Sequence, residues 1–212
     1  MHKIKLCLLD FDGTLFNTIE SLYPVFVNSF KEVGITIKDE DCLQLTRVRL
    51  SEGFHMHGGK DEDIQIYYDA IEKYLNTKET VEATKLYKDT IEFLNKSKNA
   101  SFDLGIVTSN NTVHVKDILK FFNIDEGLFK TYVGNRESRI HKPKPDPIFV
   151  ALEQYGGDIK KEEVIYVGDA MADMQCAEAA GVIPVYLDRN NERLSDKYIR
   201  ITSLLDIFSL EM

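Results

Sequence analysis

Apolar and polar positions along this chain follow two rhythms. Short runs apolar on both faces occur at Ile4–Leu9, Phe102–Val107, Thr131–Val133, Val164–Val167 and Val182–Tyr186. Such runs read as strands buried between layers of helix in a parallel sheet. Between them, helical spacing covers roughly Val113–Phe122, Pro147–Tyr155 and Ala172–Ala180. The alternation predicts an α/β fold with a doubly wound, mainly parallel sheet. In such sheets the ligand site lies outside the carboxyl ends of the strands. Residues 17–85 break the rhythm. They hold no convincing buried strand, but Leu22, Phe26, Phe30 and Val33, then Ile64, Tyr67, Ile71 and Leu75, recur at helical spacing. Gly34 suits the end of the first of these helices. The expected organisation is a discontinuous core, 1–16 and 86–212, with an all-helical insertion over 17–85.

Composition narrows the function. The chain has 212 residues, enough for a full core with one insertion. With 43% hydrophobic and 29% charged residues it reads as an ordered, soluble protein. A net charge of -9 repels nucleic acid and anionic membranes, so neither is an expected partner. The same field repels phosphate, so a phosphate site here needs a local positive centre. Cys7, Cys42 and Cys176 are scattered and form no C-x-x-C pair. They read as reduced core thiols of a cytoplasmic protein. No apolar run is long enough for a membrane helix or a signal peptide.

Chemistry is concentrated at the strand ends. After the first run stands D-F-D-G-T, Asp10 to Thr14. Its two carboxylates, spaced by two, point into one loop while Phe11 turns inward; a plain Asp-Gly turn is the alternative. After L-G-I-V stand Thr108, Ser109 and Asn110. A hydroxyl there can hold a phosphate oxygen with backbone N–H groups, or cap the next helix. In H-K-P-K-P-D-P, His141 to Pro147, prolines hold a lysine in place, Lys142 or Lys144. After V-I-Y-V come Gly168, Asp169 and Asp173. These carboxylates suit a hard cation such as Mg2+, although Asp173 could simply favour the helix N-terminus.

In their order and at these strand ends, the four pieces resemble the signature motifs of the haloacid-dehalogenase-like hydrolase superfamily. K-P-K-P-D-P and G-D-A-M-A-D-M-Q-C-A-E-A-A-G-V are closest to its phosphoglycolate-phosphatase and phosphomutase branch, whose Rossmann-like core carries a helical cap after the first motif. The resemblance covers nearly the whole chain. It implies Asp10 as nucleophile, forming an aspartyl-phosphate, and Asp12 as general acid and then base. It implies Thr108, Ser109 and Asn110 around the phosphoryl group and Lys142 orienting Asp10. Mg2+ would be held by Asp10, the Asp12 carbonyl, Asp169 and, through water, Asp173. The substrate would be a small phosphorylated metabolite, and the enzyme a monomer or homodimer. A phosphomutase or a non-catalytic phosphate binder would share these motifs. Asp12 argues against the dehalogenases and phosphonate-cleaving members, which lack this second acid.

Substrate choice is expected to rest with the insertion. Its stretch R-V-R-L-S-E-G-F-H-M-H-G-G offers Arg47, Arg49, His55 and His57. Arg49 is the candidate for reading an anionic group remote from the phosphoryl. The two histidines could form a metal pair, but no third ligand is evident nearby.

Overall fold

Four consecutive buried residues, Leu6–Leu9, form strand β1. Full burial on both faces is what a central strand between helical layers requires. The structure, a computed structural model, describes residues 3–46 and 48–210. After β1 come β2 (Phe16–Asn17), α1 (Ile19–Glu32), α2 (Asp39–Leu45), α3 (Leu50–Met56), α4 (Ile64–Leu75), α5 (Lys78–Ala83) and β3 (Lys85–Leu86). Then follow α6 (Thr90–Ser97), β4 (Asp103–Val107), α7 (Thr112–Phe121), β5 (Phe129–Val133) and α8 (Asp146–Tyr155). The chain closes with β6 (Val164–Gly168), α9 (Met171–Ala180), β7 (Ile183–Leu187), β8 (Ile199–Ile201) and a 3-10 turn, Leu204–Ser209.

Among the described residues, β1 and β4–β8 form a six-stranded sheet in the order β5-β4-β1-β6-β7-β8. Every pairing in it is parallel. Counting these strands alone, the order is 3-2-1-4-5-6, the doubly wound arrangement. The direction of winding therefore reverses beside β1, which leaves a crevice at its carboxyl end. On one face, Leu6, Leu8, Val107, Tyr166, Ile148 and Ala177 belong to a single buried cluster. Each fully buried aliphatic side chain there contributes about 1.5–3 kcal/mol.

Two elements of the core were not read from the pattern. β8 is a three-residue strand whose middle side chain, Arg200, pairs with Asp188 at 2.7 Å. Such a short, charge-broken run carries little periodicity. α6 buries Phe93 and Leu94 but is only eight residues long.

Contacts divide the chain into two compact units, one running up to Phe16 and again from Leu86, the other spanning Asn17–Lys85. The second unit has its own core, in which Phe30, Phe54 and Tyr67 meet with ring centroids 4.6–5.9 Å apart. Gly34, at φ +75°, follows the end of α1, and its N–H donates to the Lys31 carbonyl. No helix among the described residues is long and apolar enough to cross a membrane.

Candidate active site

The loop after β1 is shaped by its own backbone. The Asp10 N–H donates to the Val167 carbonyl at 2.8 Å, carrying the β1–β6 ladder one residue past the strand. Gly13 then takes φ +78°, and its N–H donates to the Phe16 carbonyl at 2.8 Å. This tight turn drives Phe11 into the core, where it stacks on Phe16 at 4.6 Å. Asp10 and Asp12 are left to face the strand ends.

Asp10 is 6% exposed, and its Oδ1 lies 3.0 Å from the Lys142 ammonium. The same ammonium donates to Asp173 Oδ1 at 2.6 Å. Lys144 is exposed instead; its carbonyl accepts from the Cys176 thiol at 2.9 Å, which ties the proline-rich loop to α9. Asp173 is fully buried: Oδ2 accepts the Ala170 N–H at 3.0 Å, and Oδ1 also lies 3.1 Å from the Tyr166 hydroxyl. Asp173 thus satisfies the N-terminus of α9 and orients Lys142 at once. That hydroxyl also reaches the Val107 carbonyl at 2.8 Å, joining β6 to β4 beside Thr108. Tyr166 was missed in the sequence because V-I-Y-V reads as plain core. The available signal was a phenol in a strand buried on both faces, which must find a partner.

Across the loop, Asn110 Nδ2 donates to both oxygens of Asp12, at 3.2 and 3.1 Å, and Thr108 Oγ1 lies 3.4 Å from Asp12 Oδ2. Asn110, expected near the phosphoryl group, has its side chain engaged with protein partners. Its amide orients Asp12, and its Oδ1 accepts the Asn111 N–H at 2.7 Å. The cap of α7 is Asn111, whose side chain accepts from the Val113 N–H, so Thr108 is not spent on capping. Ser109 is exposed at the same strand end. Arg49 is exposed at the start of α3, within the helical unit, and Arg47 lies outside the described residues. His55 meets Asp61 at 2.9 Å, while His57 Nδ1 meets the Gly53 carbonyl at 2.9 Å. The two imidazoles therefore have separate partners.

Asp10 and Asp173 share one cation, Lys142, while Asp12 and Asp169 add their charges beside Asp10. Burial raises Asp10 well above the usual carboxylate range; Lys142 pulls it down, and the charges of Asp173, Asp169 and Asp12 push it up again. Asp169 is pushed up to about 7, first by loss of water and then by the charge of Asp173. Burial by itself would lower Lys142, but Asp10 and Asp173 together hold it above its ordinary value. Among the described residues, the group able to hold a metal ion is Asp10, Asp169 and Asp173, with one oxygen from each within 4.8 Å of the others. Asp10 Oδ1 is buried, and the Lys142 ammonium 3.0 Å away is the neighbour it has. Three carboxylates gathered around one ammonium leave an excess of negative charge, which fits a hard divalent cation.

Gly13 tests this geometry. A Cβ built there would lie 2.2 Å from Asp169 Oδ2, on a backbone at φ +78°. Gly13→Ala is expected to weaken the binding of a divalent cation by about 10- to 100-fold, the usual cost of disturbing a ligand's support. Metal titration of the variant checks it.

All three cysteines are buried free thiols; burial lifts Cys176 to about 12 and Cys42 to about 11. They are inert packing groups, as their scattered positions suggested.

Comparison with known proteins places this geometry. The family described as haloacid dehalogenase-like hydrolase matches residues 7–186. A pyrophosphatase PpaX from Bacillus velezensis is 30% identical over 182 residues, 84% of this chain and 81% of its own. A phosphoglycolate phosphatase from Pasteurella multocida is 28% identical over 198 residues, covering 88% and 87%. Among solved structures, a haloacid dehalogenase-like family hydrolase from Streptococcus pneumoniae superposes with a TM-score of 0.81 at 22% identity, covering 97% of both chains. A subfamily IA hydrolase from Geobacter sulfurreducens has a TM-score of 0.73 at 23% identity, covering 98% of this chain and 100% of its own. With most of its length matched and a sheet of the same fold, the chain belongs to the haloacid dehalogenase-like hydrolase family.

Proposed function

We propose that the protein is a Mg2+-dependent phosphatase that hydrolyses a small phosphomonoester through an aspartyl-phosphate on Asp10. The observation that supports this most is a buried carboxylate at the switch point of the sheet, 3.0 Å from one ammonium and within a group of carboxylates able to hold a cation. Asp10 attacks phosphorus, and the bond to the leaving oxygen breaks. Asp12, steadied by Asn110 and Thr108, gives that oxygen a proton. Asp12 then takes a proton from the water that attacks the aspartyl-phosphate, releasing phosphate and restoring Asp10. Lys142 offsets charge on the carboxylate and phosphoryl oxygens. Thr108, Ser109 and the backbone beside them receive the phosphoryl group. Asp10, the Asp12 carbonyl and Asp169 would hold Mg2+, which when bound neutralises the repulsion between nucleophile and phosphate.

A panel of phosphoglycolate, hexose phosphates, nucleotides and pyrophosphate, with Mg2+ and with chelator, tests the reading. Phosphate release that needs metal, with a trapped phosphoryl group on Asp10, is the expected result. Full activity in chelator, or no turnover of any ester, would sink it. A bisphosphate intermediate with slow phosphate release would identify a mutase instead.

Two expectations refine the roles. Asp169→Asn should weaken Mg2+ more than Asp173→Asn, whereas Asp173→Asn should lower the melting temperature more, because that carboxylate is committed to Lys142 and Ala170. Metal titration and calorimetry on both variants separate the two effects. Arg49→Ala should raise KM for the preferred substrate and leave p-nitrophenyl phosphate nearly unchanged, if Arg49 reads a group remote from the phosphoryl. Equal losses for both substrates, or for neither, remove it from recognition.

A further inference from the structure

We propose that Arg189 is a positioning residue for the metal-binding carboxylates, acting on Asp169 through Thr14; this rests on the metal-dependent reading above. Arg189 lies past the carboxyl end of β7, in none of the four motif segments. Its side chain is only 11% exposed. Nη2 donates to the Thr14 carbonyl at 2.6 Å, and Nη1 donates to Asp89 at 3.0 and 3.3 Å. The guanidinium centre sits 3.8 Å from the centroid of the Tyr87 ring.

Asp89 is itself held. Its Oδ2 accepts from Ser203 Oγ and from the Leu204 N–H, both at 2.8 Å. Hydrogen-bonded on two edges and stacked on one face, the guanidinium has a single place to be. A planar fork can make these contacts together, and an ammonium cannot. A second bond, from Thr90 Oγ1 to the Leu15 carbonyl at 2.7 Å, ties the same part of the first loop to α6.

What this anchors is the support of Asp169. Thr14 is fully buried, and its Oγ1 donates to Asp169 Oδ1 at 3.3 Å. The backbone of Gly13 passes so near that a Cβ there would overlap the Asp169 carboxylate. A shift of the Gly13–Thr14 peptide therefore moves Asp169 relative to Asp10. Arg189 holds the next peptide, Thr14–Leu15, by its carbonyl and so restrains Thr14 itself. Tyr87 and Asp89, which hold Arg189, follow directly on β3, so one guanidinium fixes both chain segments that border the insertion on the core side.

The test is metal binding without substrate. Mn2+, a hard octahedral ion like Mg2+, is titrated into wild type, Arg189→Met, Arg189→Lys and Thr14→Val, and free Mn2+ is read by electron paramagnetic resonance. Arg189→Met and Thr14→Val are expected to weaken Mn2+ about 10-fold or more, as loss of a ligand's support does. The Mg2+ concentration for half-maximal activity should rise by the same factor, with kcat restored at saturating Mg2+. Arg189→Lys should fall between. Unchanged Mn2+ affinity in folded Arg189→Met overturns the proposal, whatever its melting temperature. If that variant does not fold, Thr14→Val, which removes one hydroxyl at nearly constant volume, decides by the same criterion. A wild type that binds no Mn2+ and works in chelator would instead remove the metal reading itself.

Discussion

In Asp10→Asn, turnover is expected to fall by about ten thousand-fold or more, because an amide is a far poorer nucleophile than a carboxylate. The metal-free variant should nevertheless be at least as stable as the wild type. Asp10 is buried among Asp12, Asp169 and Asp173, and burial holds its carboxyl well above the usual range. An acid whose folded-state value is raised binds its proton more tightly when folded. Its contribution to stability is complete below the ordinary carboxylate value and is lost as pH rises through the raised one. The neutral amide escapes that loss. As pH rises from 5 to 8, the melting temperature of metal-free Asp10→Asn should therefore fall less than that of the wild type, since only the remaining raised acid, Asp169, still loses stability, and saturating Mg2+ should narrow the gap. Calorimetry across that range, with deamidation excluded by mass spectrometry, checks it. A folded variant that turns over at the wild-type rate would remove Asp10 as nucleophile.

Lys142→Met should damage both activity and stability. It leaves Asp10 and Asp173 buried without the cation they share, at 3.0 and 2.6 Å. Breaking a buried pair by removing one partner costs about 3–5 kcal/mol. For a chain of this size each kcal/mol moves the melting temperature by about 2–4 °C. The sign with pH follows from the same groups. Lys142 is held above its ordinary value, so its contribution is complete below that value and stays constant across neutral pH. In the variant the carboxylates are relieved by protonation, so its deficit should be large at pH 8 and smaller at pH 5. Turnover of every ester should fall, since the charge serves the phosphoryl group common to all. A deficit independent of pH, or a loss confined to one substrate, would separate Lys142 from the carboxylate cluster.

Much of this site was legible because its parts sit at strand ends, where local pattern and chemistry coincide. D-F-D-G-T follows a run buried on both faces, so the turn, the inward Phe11 and the paired acids could be read together. The lysine of the proline-rich loop could be narrowed to Lys142 or Lys144, with the resemblance favouring Lys142, and Asp169 and Asp173 could be placed at a strand-to-helix junction. Tyr166 and Arg189 were not legible. Each owes its role to partners distant in sequence: Val107 for one, Thr14 and Asp89 for the other. The amide of Asn110 likewise turns to Asp12 only because β4 lies beside β1.

By itself the sequence determined most of the strands and helices of the core, that β1 and β6 are buried on both faces, and which carboxylates, hydroxyl and lysines stand near the strand ends. Periodicity and short-range turn chemistry act over a few residues, so they can be read without knowing the neighbours. The tertiary structure alone decided strand order, and with it that four segments scattered from Asp10 to Asp173 meet at one crevice. It also decided how charge balances there: one ammonium against four carboxylates, with Asp173 drawn to Lys142 and Asp12 to Asn110. Electrostatic energy depends on distance and on exclusion from water, and neither exists until the sheet has brought the strand ends together.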